Sequence, residues 1–223
     1  KFVKNLAKNL IELSKYETVK NKSNKSKARI GINYNKNKTC YLDATIRGHG
    51  DYADHYENKG KDKFRLPSLR VELIDSHIFG IVEFILFRPE TRFNSNEIFI
   101  TSLFSYLNYL SPRTSVANVK FKDRQQVMIF QEVINKEFLE NNNLIEGPII
   151  SGNEKFTFDF KDHPNISWHK IDNKQYIKKN SQNYDNGKHA LNIMNLIYHN
   201  HFHSIYGIND RNLIDYFTST KKN

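Results

Sequence analysis

Short apolar segments with a two-residue period fill the first half of the chain, and they constrain the fold more than any other feature. Residues 30–46 alternate on both sides of the polar tip from Asn35 to Lys38, which predicts two strands of a hairpin. Further strands are predicted at 69–73 and 79–87, and a second hairpin at 116–121 and 127–133. Strands joined by such short connections favour an antiparallel sheet.

Helical periodicity interrupts this pattern once in the first half. It predicts a long helix from Glu97 to Leu110, with Asn94 or Ser95 as its N-cap and Ser111-Pro112 as its stop. Shorter helical signals cover 136–141 and 190–202, and the polar residues 161–188 are predicted to be an irregular connection. The sequence therefore predicts an α+β fold: an antiparallel-sheet-rich N-terminal lobe with one long helix, followed by a partial, mainly helical lobe.

The positive charge is concentrated at the N terminus. The chain carries 34 Lys and Arg against 24 Asp and Glu, a net charge of +10, and residues 1–29 alone supply +7. The other 194 residues keep only +3, which argues against a body built to follow a nucleic-acid backbone. Contacts with anionic lipid or nucleic acid are therefore predicted for the N-terminal arm, and no specific nucleic-acid recognition is predicted for the body.

The arm itself has two predicted parts. Apolar residues recur at helical spacing among lysines in residues 2–16, which predicts a basic amphipathic helix. Residues 20–29 are almost free of apolar side chains and predict a flexible linker. The predicted domains are thus 1–29 (helix and linker), 30–155 (sheet-rich lobe) and 156–223 (partial helical lobe). Because the first residue is Lys1, we expect a fragment or a processed form.

Cysteine and histidine usage limits the metal chemistry. The single cysteine, Cys40, excludes an intramolecular disulfide and a multi-cysteine zinc site. His199 and His203 would share one face of a helix at the spacing of a zinc pair, with His201 between them. The alternative is that these histidines are polar positions near a helix end. No run of about 18 apolar residues, the length of a membrane span, is present.

A glycine-bearing turn follows one of the predicted strands. In the run Arg47-Gly48-His49-Gly50-Asp51, backbone N–H groups could meet a phosphate and Arg47 could neutralise it. The alternative is an ordinary turn, which also uses glycine.

A possible ion pair forms the next candidate feature. Arg70 lies on an alternating strand and Glu97 opens the long helix, as in the basic–acidic pair that fixes nucleotide phosphates in kinases. The alternative is two unrelated surface charges.

A series of short motifs resembles the spore-coat kinase (CotH) family. The motifs occur in the same order and at similar spacing over roughly residues 40–155. They are Ile46-Arg47-Gly48 to Asp54-His55, Pro67 to Leu73, Phe87-Arg88-Pro89-Glu90-Thr91-Arg92, Asn96-Glu97-Ile98, Leu110-Ser111-Pro112-Arg113, Phe130-Gln131-Glu132 and Glu137 to Glu140.

The resemblance implies an atypical kinase-like fold that binds ATP and Mg²⁺ or Mn²⁺ between its lobes. It places Arg70 at the phosphates with Glu97 as its helix partner. Arg47 and His49 would lie at the turn over the phosphates, and Gln131-Glu132 would lie beside the adenine.

The same resemblance implies where catalysis would occur. Asn209 and Asp215 would be metal ligands, and Asp210 and Asp215 catalytic residues. Further metal-binding acids are expected after Asp215, so the chain is either a truncated member or a degenerate one. The predicted function is phosphate transfer from ATP to a hydroxyl of a protein or envelope component. The alternative is a noncatalytic binding or scaffold domain in cell-envelope or polysaccharide assembly.

Overall fold

The computed structural model describes residues 2–16, 25–35, 38–50, 53–56, 65–122, 124–152 and 169–205. It has a mixed α+β architecture in two compact units, Lys1–Asn143 and Leu144–Asn223. The predicted α+β class and the antiparallel sheet are confirmed. The division falls after Asn143, earlier than the predicted residue 155, because residues 150–152 pair with a strand of the second unit.

The first unit is built on a six-stranded sheet in which every neighbouring pair is antiparallel. The strand order is β1-β2-β3-β4-β6-β5. The strands are β1 (Ser26–Asn35), β2 (Lys38–Gly48), β3 (Leu69–Leu73), β4 (Glu83–Phe87), β5 (Thr114–Phe121) and β6 (Arg124–Glu132). Strand β1 begins before the predicted residue 30, because residues 26–29 continue the ladder opposite Asp43 to Ile46. The predicted linker therefore ends earlier than residue 29.

The described part of this unit also contains three helices and two short 3₁₀ turns. The helices are α1 (Phe2–Tyr16), α2 (Asn96–Tyr106) and α3 (Lys136–Asn141), and the turns are Ala53–His55 and Pro89–Arg92. None of the helices in the described ranges combines the length and apolar character needed to cross a membrane.

Helix α2 ends before the predicted Leu110 because Asn108 adopts a left-handed conformation, with φ 61°. The N–H of Tyr109 then donates to the carbonyl of Phe104, and that of Asn108 to Ser105. This pair of bonds is the Schellman motif, which satisfies the last carbonyls of a helix.

Strand β4 is shorter than the predicted 79–87. Phe79 and Gly80 both have positive φ, 51° and 83°, and they form a tight turn closed by a bridge between Ile78 and Ile81. Backbone in the left-handed region cannot continue a strand, so the ladder with β3 starts only at Glu83.

The sheet carries a hydrophobic cluster on each face, because consecutive strand residues point to opposite sides. One cluster contains Val71 and Phe84 with Ala44, Leu73 and Ile81. The other contains Ile85, Phe87 and Ile129, and Ile98 packs against it. Helix α2 therefore lies on the face that Ile85 shares with Arg70, its cross-strand neighbour in β3.

Helix α1 packs on the sheet rather than forming a separate arm. Leu6 is buried with Tyr56, and the Phe2 ring meets that of Phe121 at 6.1 Å between centroids. The side chain of Asn5 donates to the Ser26 hydroxyl at 3.1 Å. Asn9 is buried too, and among the described residues its side-chain oxygen has no hydrogen-bond partner.

We expect Asn9→Leu to raise the free energy of unfolding by about 1 kcal/mol, because a buried acceptor without a partner costs about 1–3 kcal/mol. Leucine has a similar branched shape and would add apolar contact beside Leu6. Chemical denaturation followed by circular dichroism measures the change. The matched control is Asn5→Leu, which removes the hydrogen bond to Ser26 and should lower stability. A gain of equal size in both variants would contradict the assignment.

In the second unit, the described residues 144–152 and 169–205 form a small hairpin and two helices. Strand β7 (Ile150–Gly152) pairs with β8 (His169–Ile171), followed by α4 (Lys174–Ile177) and α5 (Ser181–Ile205). A Cβ added at Gly187 would lie 2.5 Å from a methyl of Ile177, so glycine permits this close packing. The predicted helix at 190–202 is confirmed within α5, whereas β8, α4 and the start of α5 lie in the region predicted to be irregular.

Candidate functional site

Two arginines face each other at the end of strands β2 and β3. In the register of the sheet, Arg47 stands directly opposite Arg70. Like charges in this position repel each other and destabilise the strand pair. The Nε of Arg70 donates to the Glu83 carboxylate on β4 at 2.6 Å, and Arg47 donates to the Gly48 carbonyl at 3.3 Å.

A histidine lies beside this pair, just after β2. The ring of His49 makes an edge contact with Phe87, 5.2 Å between centroids, and lies 6.0 Å from the His55 ring. It is half-buried, and within the described part of the chain its ring nitrogens form no hydrogen bond. Its backbone N–H donates to the Ser68 carbonyl at 2.8 Å.

The surroundings of His49 keep its ring neutral. Burial, followed by the positive electrostatic influence of His55, Arg47, Arg70 and Arg92, lowers the pKa of His49 from 6.5 to about 2. The ring can therefore donate one hydrogen bond and accept another at neutral pH.

Arg92 adds a third guanidinium group. It ends the 3₁₀ turn after β4, and its Cζ lies 4.0 Å from the centroid of the Phe87 ring, a cation–π contact. We call Arg47, His49, Arg70 and Arg92 the basic cluster. Phe87 is buried and its ring contacts two members of the cluster, Arg92 and His49.

Buried hydrogen bonds hold the turn around His49 in place. The Ser68 hydroxyl accepts from the Arg88 backbone N–H at 3.1 Å and lies 3.0 Å from Nδ1 of His55. Gly50 has φ 92°, and a Cβ there would lie 2.1 Å from the His55 ring. The glycine thus serves close packing. Because the His49 N–H is engaged by Ser68, an anion here would be held by guanidinium groups rather than by that N–H.

Glu97 lies on the same face of the sheet as the cluster, but it contacts a different residue from the predicted one. Its carboxylate accepts from the side chain of Gln131 at 2.6 Å, while Arg70 binds Glu83. Gln131 is opposite Ile85, which is opposite Arg70, so two strand spacings, roughly 10 Å, separate Arg70 from Gln131. Arg70 and Glu97 therefore pair with these neighbours instead of with each other.

Gln131 and Glu132 point to opposite faces of the sheet, as consecutive strand residues do. Glu132 is buried, and its carboxylate accepts from Nε and Nη2 of Arg113 at 2.8 and 2.7 Å. This bond also raises the pKa of Arg113. Of the two residues predicted beside the adenine, Gln131 shares the face of the basic cluster and Glu132 does not.

The predicted catalytic end, Asn209, Asp210 and Asp215, lies outside the described residues. The side chains of His199, His201 and His203 also lie outside them, although their backbone belongs to α5. In the ranges that the structure does describe, no three His, Cys, Asp or Glu side chains come together as a metal site would require. The metal ligands therefore stay a prediction.

Sequence reasoning missed Arg92, Glu83 and Phe87 as parts of this site. Arg92 and Phe87 stand in one of the motifs behind the family resemblance, Phe87 to Arg92, which was the available signal. Glu83 gave no signal, because its contact with Arg70 depends on the register of β3 and β4.

No protein-family model matches the chain, and no curated protein matches it significantly.

Proposed function

We propose that the chain is an ATP-dependent phosphotransferase of a kinase-like type, and that the basic cluster holds the phosphates of the nucleotide. The observation that carries this proposal is the basic cluster itself: Arg47 stands opposite Arg70 in the register, and Arg92 and His49 both contact the Phe87 ring. The resemblance to spore-coat kinases supports the same residues, since it assigns Arg47, His49 and Arg70 to the phosphates.

The electrostatics of the cluster favour a ligand with several negative charges. The register places the positive charges of Arg47 and Arg70 side by side. Phosphate oxygens would accept charge-assisted hydrogen bonds from both guanidinium groups, which bind such oxygens in pairs. Glu83 holds Arg70 through Nε and so fixes the plane of its guanidinium group. The ring of His49 would contribute a neutral donor.

The proposal also includes the nucleotide, the metal ion and the catalytic residues that the resemblance implies. ATP would supply the transferable phosphoryl group, and Mg²⁺ or Mn²⁺ would neutralise its charge. Glu97 and Gln131 lie on the face that the cluster occupies and would border the nucleotide. Asn209, Asp210 and Asp215 would hold the metal and act on a hydroxyl of a protein or envelope component.

Thermal unfolding with ligands tests the binding step. ATP with Mg²⁺ at ten times its dissociation constant should raise the Tm of the wild-type protein by about 3–6 °C. Arg47→Gln and Arg70→Gln should remove most of this shift. Glutamine at position 70 can still donate to Glu83, which limits the damage to the fold. The matched control is Arg29→Gln, which removes an arginine of β1 that stacks on Tyr41.

Two outcomes would contradict the proposal: no shift at millimolar ATP and Mg²⁺, or equal shifts in all the variants. Adding ADP, AMP and inorganic tripolyphosphate separates recognition of the phosphates from recognition of the base. Release of labelled phosphate from ATP then tests catalysis. Binding that depends on Arg47 and Arg70 without any phosphate transfer would favour the alternative, a noncatalytic binding domain.

A further inference from the structure

Helix α1 presents two different faces. The face on the sheet contains Phe2, Asn5, Leu6 and Asn9, at the spacing of one side of a helix. An adjoining stripe outside this face carries Val3, Ala7, Leu10 and Ile11, and we call it the outer stripe. Val3 is 59% exposed, Leu10 47% and Ile11 55%.

Helix α1 leaves large apolar side chains outside its buried face. Val3, Leu10 and Ile11 are exposed, whereas the buried face combines Phe2 and Leu6 with two asparagines. One of these asparagines, Asn9, has a buried side-chain oxygen without a hydrogen-bond partner among the described residues. A helix that serves only the core would turn its large apolar side chains inward. The sequence of α1 is therefore better explained by a second apolar contact on its outer side.

Positive charge lies next to the outer stripe. Lys4 and Lys8 are exposed, and they are one turn apart along a single flank of the stripe. The surrounding residues 1–29 carry a net charge of +7. An apolar stripe bordered by lysines is typical of helices that lie in the plane of an anionic membrane surface.

We propose that α1 binds the surface of an anionic lipid bilayer. The outer stripe enters the boundary between headgroups and acyl chains, and Lys4 and Lys8 contact the lipid phosphates. Contacts of Phe2 with Phe121 and of Asn5 with Ser26 keep the helix on the sheet, so binding requires no unfolding. Nucleic acid could bind the lysines but would leave the apolar side chains of the outer stripe exposed to water. A lipid surface would bury them, so the outer stripe favours lipid. This proposal is independent of the nucleotide site.

Vesicle sedimentation with the full chain tests the proposal. The wild-type protein should bind phosphatidylcholine vesicles that contain about one-third phosphatidylserine, and it should bind pure phosphatidylcholine weakly. Val3→Gln with Leu10→Gln should weaken binding about tenfold or more through lost apolar burial. Lys4→Gln with Lys8→Gln should have a similar effect through lost attraction to the anionic surface.

Each double variant has a matched control. Lys174→Gln with Lys178→Gln removes two exposed lysines at the same spacing, one in α4 and one at its C-cap. Val116→Thr with Val127→Thr removes two apolar side chains of similar exposure, 61% and 52%, from the β5–β6 hairpin. Both controls should bind within about twofold of the wild-type protein, because their sites lie off α1.

Three results would overturn the proposal. The first is no binding to anionic vesicles. The second is equal losses in the controls and the α1 variants. The third is a loss with the lysine variant but none with Val3→Gln and Leu10→Gln, which would indicate a purely electrostatic contact. In that case a duplex DNA oligonucleotide, tested at the same salt, would identify nucleic acid as the partner.

Discussion

Arg113→Ala is expected to lower the free energy of unfolding by about 3 kcal/mol, because it leaves a buried carboxylate without its counter-charge. Glu132 is only 4% exposed and receives two hydrogen bonds from the Arg113 guanidinium. The same guanidinium donates to the Phe79 carbonyl at 2.6 Å, and so ties the turn before β4 to the loop after α2. The side chain of Arg113 is itself 45% exposed. We therefore take the lower end of the range of free energies lost when one partner of a buried ion pair is removed. Urea denaturation measures the effect.

Two comparisons separate this ion pair from a surface contact. Arg65 and Glu90 form an ion pair at 2.7 Å in which both side chains are exposed. Arg65→Ala should cost less than about 1 kcal/mol, as exposed pairs do. Glu132→Gln keeps the shape but removes the charge, and it should cost less than Arg113→Ala. A loss in Arg113→Ala no larger than that in Arg65→Ala would show that Glu132 is accessible to water.

Much of the first unit could be predicted from local pattern, because its elements carry their own signals. The helix at Lys136–Asn141 was predicted with its observed bounds, and the strand at 69–73 likewise. Element ends were less predictable where a non-glycine residue adopts positive φ. Asn108 ends α2 in this way, and Phe79 with Gly80 delays the start of β4. In such places the backbone angle, rather than the residue type, decides the boundary.

Most elements of the second unit could not be predicted from local sequence pattern. Strands β7 and β8 have three residues each, too few to show a period, and they pair across 16 intervening residues. The start of α5 is polar, so only its later part has helical periodicity. The packing of α5 against α4 depends on the close approach of Gly187 to Ile177. No local sequence pattern predicts this contact.

Three of the four members of the basic cluster were selected from the sequence, whereas Arg92 and the pairs that the cluster forms were not. Arg47, His49 and Arg70 were selected from the sequence, and the register brings them together. The partners Glu83 and Gln131 follow from the alignment of β3, β4 and β6, which the sequence does not specify. A one-residue difference in register would have exchanged the faces of every strand residue concerned.

Acid is expected to destabilise the protein through His49. The folded state holds the pKa of this histidine at about 2, whereas the unfolded chain takes up the proton near pH 6.5. The unfolded state therefore binds more protons below pH 6.5, and stability falls as pH is lowered. Between pH 7 and pH 5, a single such group lowers the free energy of unfolding by about 2 kcal/mol. Denaturation at several pH values should show this loss in the wild-type protein and not in His49→Gln.

The comparison with His49→Gln removes the effects of other titrating groups, since both proteins share them. His77→Gln is the matched control. It changes an exposed histidine outside the basic cluster, which accepts from the Gly80 N–H at 3.1 Å, and it shows what replacement of a histidine elsewhere does to the curve. Parallel curves for the wild-type protein and His49→Gln would contradict the half-buried, arginine-flanked position of this ring.

Repeating the titration with bound tripolyphosphate links the result to the proposed function, because an anion between the guanidinium groups offsets their charge and should raise the pKa of His49. The acid loss between pH 7 and pH 5 should then shrink, and a loss that is unchanged by the anion would separate His49 from the phosphate site.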